Sequence, residues 1–321
     1  NQIINLTNDI RYIFKDKKYP ILIDQEGGRV TRTKEIGNTP PSAEQLRICG
    51  KPDLIAWHGI QTGLLLNQLG INMNLAPVLD ICYDPEADNA LRSRCYGRDA
   101  QEVINNAGVY NRNLIRTKVL GCGKHFPSCG LADVDPHHML PVSHKSKEDM
   151  MQSDLLPYTA LGDELSAILT GHTHFSQLDP DSPGLPASLS RNIVTRLLRD
   201  QLGYDGVVMT DDLDMGAIIN TYGRGPDVKM AIEAGNDMAM ICHQTDTAEQ
   251  ALASLQELSG YTLEDSLNRI HKLKRKLAKP IDFSQERWDK LNDEIMELRI
   301  ETLGEEAAKA QSDSVANSRS P

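Results

Sequence analysis

Six short apolar runs recur along the chain, and every one closes on a side chain able to do chemistry. They cover Tyr19–Gln25, Ile71–Ile81, Val119–Pro127, Ala167–His174, Gly206–Leu213 and Asp237–His243. Their polar ends are Asp24, Asp80, Lys124 with His125, His172, Asp211 and His243. Runs that are apolar throughout, rather than alternating, read as strands buried on both faces, as in a parallel sheet covered by helices. Amphipathic stretches lie between them at Leu54–Leu69, Gln101–Leu120, Lys147–Leu161, Arg191–Leu202 and Val228–Ala234. The stretch at Arg191 carries Ser190 as its N-cap and Gly203 just past its end. Polar groups gathered at the C-terminal ends of parallel strands predict an α/β protein of the TIM-type (β/α)8 barrel class. An open doubly wound sheet would bind at one crevice, often through a Gly-rich phosphate turn, and no G-x-G-x-x-G occurs in the chain.

A barrel of this class needs eight strands, and six runs are present. Asn1–Phe14 reads as a helix already under way, so the expected barrel lacks its first two β/α units in this chain. The barrel domain is expected over residues 1–280. Residues 281–321 are expected to add a C-terminal helix and a disordered polar tail.

Composition narrows the partners. With 45 acidic against 34 basic side chains, the net charge of −11 repels phosphate backbones and anionic lipid, which argues against nucleic acid and membrane. No apolar run approaches the ~20 residues of a membrane span. Aromatic residues make up 5% of the chain, too few for a long stacking groove along a polysaccharide. Six scattered cysteines without a C-x-x-C pair fit a reduced, cytoplasmic protein. A monomer acting on a small carbohydrate is expected, with no cofactor and no metal.

Asp211 and Asp212 end the run Gly206–Thr210, and adjacent residues on an extended segment point to opposite sides. Asp211 is the one expected to face a site, with Asp212 capping the next helix or holding a neighbour. Asp135-Pro136-His137 lies in an irregular stretch after the Lys124–His125 run. Pro136 pushes Asp135 towards extended backbone, so Asp135 and His137 face the same way. A carboxylate beside an imidazole fixes its tautomer and makes a workable acid and base near neutrality. Taken alone, an Asp-x-His of this kind is more often plain surface loop. Asp24-Gln25-Glu26-Gly27-Gly28-Arg29 ends a strand in a sharp turn that presents a carboxylate suited to adjacent sugar hydroxyls. The glycines would serve a turn in any case.

Together these segments resemble glycoside hydrolase family 3, in particular its bacterial β-N-acetylglucosaminidases of peptidoglycan recycling. The resemblance rests on IDQEGGRVTR (Ile23–Arg32), NLAPVLDI (Asn74–Ile81), RCYGRD (Arg94–Asp99), GKHFP (Gly123–Pro127), DPHHMLP (Asp135–Pro141), DGVVMTDDLDMGAI (Asp205–Ile218) and AGNDMAMIC (Ala234–Cys242). It implies a retaining hydrolase that removes terminal β-linked N-acetylhexosamine. Asp211 is then the nucleophile of a covalent glycosyl-enzyme and His137 the acid/base, with Asp135 its dyad partner. Asp24, Arg32, Arg94, Lys124 and His125 fall at sugar-binding positions. The chain departs from the family pattern in two places. Ser128 and Cys129 replace Gly and His of the usual K-H-F-P-G-H-G, and Pro136 replaces Ser of the usual D-S-H.

Three other readings stand beside this one. The same site could pass the sugar to phosphate, since a neutral imidazole repels phosphate less than a carboxylate does. His172 and His174, two apart at a strand end, could ligate zinc in a metal-dependent barrel hydrolase. An incomplete barrel could also be a sugar-binding remnant without activity.

Overall fold

The computed structural model describes residues 1–86, 89–130 and 140–309, and gives the backbone only at 261 and 262. The chain divides into two compact units. One comprises Asn1–Val78, Ser93–Cys122 and Lys274–Pro321, the other Leu79–Arg92 and Gly123–Leu273. The strand Leu120–Phe126 begins in the first and ends in the second.

In the first unit, strands Leu22–Ile23 and Met73–Asn74 and the start of Leu120–Phe126 pair in parallel, with Leu22 opposite Met73 and Met73 opposite Leu120. The run expected over Ile71–Ile81 contributes only the two-residue strand Met73–Asn74. Side chains supply much of the remaining ladder. The Asn74 carboxamide accepts from the Gln25 amide at 3.0 Å and donates to the Gln25 carbonyl at 2.8 Å. Asn72 accepts from the Ile21 amide at 2.8 Å and donates to the Tyr19 carbonyl at 3.0 Å. Pro77, further on, has no amide to offer. The asparagines that break the apolar run are therefore sheet-forming groups.

Helices Pro52–Gln68 and Ala100–Arg116 pack on each other in this unit. The first opens on Pro52, whose fixed φ suits a first helical turn. The second is capped by Asp99, which accepts the Glu102 amide at 2.8 Å. Gly59 and Gly63 let the pair approach closely. A Cβ at Gly59 would press on the Tyr110 carbonyl, and one at Gly63 would run into Thr117. Leu46, Ile55, Leu65, Leu66, Met73 and Leu114 form the buried interior here.

In the second unit the end of Leu120–Phe126 is followed across the sheet by Ala167–Thr170, Val207–Asp212 and Met238–Met240. Ala167 through Thr170 pair in register with Val207 through Thr210, in parallel. The segment expected as a helix from Arg191 is a wider, π-type helix over Asn192–Gln201. The expected caps are present: the Ser190 hydroxyl accepts the Ile193 amide at 3.2 Å, and Gly203 takes φ +73°. Asp237 anchors the last strand, since Arg199 and Arg269 both donate to its carboxylate, at 2.7 and 2.9 Å. Leu189, Leu213, Ile218, Val228 and Ala231 pack under the strand ends. Among the described residues no helix is long and apolar enough to cross a membrane.

Candidate active site

Within the second unit, three strands deliver Lys124, His125, His172 and Asp211. The whole strand Leu120–Phe126 is buried, including Lys124 at 3% and His125 at 7% exposure. Buried charge and imidazole need partners, and for His125 the partner is Asp80. The Asp80 carboxylate meets His125 Nδ1 at 2.7 Å and accepts the His125 amide at 3.1 Å. Its other oxygen accepts the Cys129 amide at 2.6 Å. One buried aspartate thus fixes the His125 ring and the turn that follows it.

Asp211 and Asp212 end the strand Val207–Asp212, and both are half-buried. They turn to different neighbours, as extended backbone requires. Burial pushes the Asp211 carboxyl up, but His125, His172, the Asp212 amide at 2.9 Å and the Lys124 ammonium outweigh it. Asp211 is left below the ordinary aspartate value of 3.8, and so ionised at neutrality. Asp212 instead accepts the Asp214 and Cys242 amides at 3.0 and 3.1 Å and approaches His243 Nε2 at 3.4 Å. It organises the turn.

His172 and His174 do not form a metal pair. His172 Nδ1 meets the Ser188 hydroxyl at 2.7 Å, and its Nε2 meets the Asp212 carbonyl at 3.0 Å. His174 Nδ1 lies 2.9 Å from the Leu185 carbonyl, while Nε2 accepts the Gly184 amide at 3.3 Å. All four ring nitrogens are engaged, so the reading of these two as zinc ligands is corrected. Burial holds the His172 pKa below its usual value, against the raising effect of Asp211. His172 is a neutral hydrogen-bonding strut.

A further layer steadies the strand ends. Arg224, 5% exposed, bonds Asp214 on one side and Asp227 on the other, the latter at 2.7 Å. Asp214 also accepts the His243 and Gln244 amides at 2.7 and 2.8 Å. The loops after Val207–Asp212 and after Met238–Met240 are joined by that one carboxylate.

The first unit carries Asp24, Arg32 and Arg94. Asp24 follows the strand Leu22–Ile23 and lies 3.7 Å from the Arg32 guanidinium. Arg94 makes a two-pronged contact with Glu26, Nε to one carboxylate oxygen at 2.8 Å and Nη2 to the other at 2.7 Å. Such a fork fixes the guanidinium plane. Asp135 and His137 lie outside the described residues.

Two residues of the site carry no signal of their role in the sequence, where Asp80 is the end of a run and Glu26 part of a turn. Their partners lie 45 and 68 positions away, and no local pattern announces such pairings.

A carboxylate kept ionised at a parallel strand's end, among imidazoles and an ammonium, is the kind of site with which a glycosidase stabilises a cationic sugar centre. The family model described as "Glycosyl hydrolase family 3 N terminal domain" matches residues 2–273. A beta-hexosaminidase of Bordetella avium is 33% identical over 298 residues, covering 90% of this chain and 80% of that protein. A beta-hexosaminidase of Pseudomonas aeruginosa is 30% identical over 270 residues, covering 84% and 78%. The structure of a family 3 β-N-acetylglucosaminidase from a Paenibacillus species superposes with a TM-score of 0.83 at 30% identity, covering 94% of this chain and 60% of that one. The chain belongs to glycosyl hydrolase family 3.

Proposed function

We propose that this protein is a retaining β-N-acetylhexosaminidase that releases terminal N-acetylglucosamine from small glycosides such as peptidoglycan fragments. It is a glycosyl hydrolase acting on N-acetylhexosamine, in keeping with the β-hexosaminidases it is similar to. The finer assignment rests on one observation above all: Asp211 is held ionised at the end of its strand by His125, His172 and Lys124.

Cleavage with retention takes two displacements. Asp211 attacks the anomeric carbon while an acid protonates the departing oxygen, and a glycosyl-enzyme ester forms. Water then attacks the same carbon, gives its proton to the group that acted as acid, and frees Asp211. His137, paired with Asp135, is our acid and base. Asp24, Arg32, Arg94, Lys124 and His125 are our sugar-binding residues. We take residues 1–280 as the catalytic domain of (β/α)8 type, short of two β/α units, with 281–321 appended to it.

The test is hydrolysis of an aryl β-N-acetylglucosaminide by the wild type and by Asp211→Asn. The variant keeps shape and hydrogen bonding but loses the nucleophile, so turnover should fall by about three powers of ten or more. Equal rates would overturn the assignment. Running both with added phosphate and looking for sugar 1-phosphate separates hydrolysis from phosphorolysis.

A further inference from the structure

The function does not use Cys129, the residue that stands where the family pattern has histidine. Its surroundings give it a role. The Cys129 amide is pinned to one Asp80 oxygen at 2.6 Å, while His125 Nδ1 meets the other at 2.7 Å. The turn from His125 through Pro127 therefore folds back on a single carboxylate. Gly171 leaves room for this, because a Cβ there would come within 3.1 Å of Cys129 Sγ and 3.2 Å of His125 Cβ. One donor atom each from Asp80, His125 and Cys129 lie within 4.8 Å of one another.

We propose that Asp80, His125 and Cys129 form a binding site for a thiophilic divalent cation of the zinc class. Oxygen, nitrogen and sulfur donors from three residues are the set zinc takes when its fourth position stays open to water or another ligand. Tetrahedral zinc with bonds of about 2.0–2.3 Å sets donors roughly 3.3–3.8 Å apart. The cluster reaches this by modest movement: the thiol draws in and the His125 ring parts from Asp80 by under about 1 Å. Two of the three ligands are buried, Asp80 at 2% and His125 at 7% exposure, and Cys129 is half-buried. On binding, Cys129 releases its thiol proton to solvent and the His125 ring carries its one proton on Nε2, leaving Nδ1 free, since only the thiolate and the unprotonated nitrogen are ligands.

The cation replaces the hydrogen bond between Asp80 and His125. His125 is also one of the sugar-binding residues of the proposed function, so a metal held on its ring inhibits the proposed hydrolysis, reversed by a chelator. The binding claim stands without that reading, so the primary measurement does not use activity.

The full chain is titrated with cobalt(II), a spectroscopic stand-in for zinc, and with zinc in a calorimeter. The wild type is expected to take up a single cation tightly and to develop a near-ultraviolet thiolate-to-cobalt charge-transfer band. Cys129→Ala should lose the band and weaken zinc binding by more than the roughly hundredfold that loss of a merely supporting partner costs. Cys129→Ser, closer in size, guards against a folding defect in the alanine variant. Cys129→His should still bind zinc but show no charge-transfer band. Cys242→Ala, which alters an exposed cysteine near Asp212 and His243, should behave as wild type. A band that survives Cys129→Ala, or wild-type zinc affinity no better than that variant's, overturns the proposal. If cobalt binds as expected while the aryl glycoside is not hydrolysed, the metal site stands and the hydrolase reading falls.

Discussion

Asp211 illustrates how neighbours decide a carboxylate's role. Burial alone would favour its neutral form, which attacks nothing. His125, His172, the Asp212 amide and Lys124 reverse that preference. The carboxyl titrates below the ordinary value of 3.8, so the proposed nucleophile is ionised at neutral pH. Replacing Lys124 by methionine removes one of these influences and keeps most of the side-chain volume. The acid limb of the pH profile for kcat/KM, set by protonation of Asp211, should then move to higher pH. A profile recorded on the aryl glycoside reads this shift independently of any fall in rate. An unchanged acid limb would mean that Lys124 does not act on Asp211. The residue scale was only half legible in sequence. Asp211 stood out because an apolar run ends on it. Asp80 stood at the end of another run, yet its role as holder of His125 depends on a contact with a residue 45 positions away.

Strands and helices were legible to the extent that burial patterns reveal them. All six apolar runs contain a parallel strand, in keeping with the continuous apolar sequence of strands covered on both faces. Their lengths were not legible. Ile71–Ile81 holds only a two-residue strand, where Asn72 and Asn74 add side-chain hydrogen bonds to the backbone ones. The helix from Arg191 took the wider form, although its capping residues did what their types imply. The contact between Pro52–Gln68 and Ala100–Arg116 offers a test at this scale. Gly59 and Gly63 lie one helical turn apart and both face that contact. A methyl group at Gly59 meets the Tyr110 carbonyl, and one at Gly63 meets Thr117 through Oγ1, Cγ2 and Cβ, the last of which no side-chain rotation moves. Each substitution should therefore cost about 1–3 kcal/mol, in the range of overpacking. Alanine's better helix propensity offsets up to ~1 kcal/mol in each case. Urea unfolding of both variants measures the losses; no loss in either would show that the helices part more easily than this packing implies.

The stability of the molecule as a whole should depend on pH through a histidine that no catalytic argument touches. His58 is fully buried in the first unit, its ring 5.1 Å from that of Tyr110, and among the described residues neither of its nitrogens has a hydrogen-bond partner. Burial drives its pKa down from 6.5 to about 3. The sign follows from linkage. The unfolded chain takes up a proton on this ring below pH 6.5 while the folded one refuses it until about pH 3. Stability is thus full above pH 6.5 and falls as the pH drops towards 3, by about 1.4 kcal/mol per unit while the two states differ. His172, lowered by burial as well, contributes in the same direction. Asp211 and Asp214, held below 3.8, lose their contributions only at lower pH still, so the histidines dominate the decline between 6.5 and 4. His58→Leu fills the same apolar space without a titratable group. Its Tm should fall less than that of the wild type between pH 7 and pH 4.5, and the two curves should converge or cross as acid is added. Parallel curves would mean that the His58 ring takes up its proton in the folded state after all, through a buried water or a rearrangement that supplies the partner its nitrogens lack.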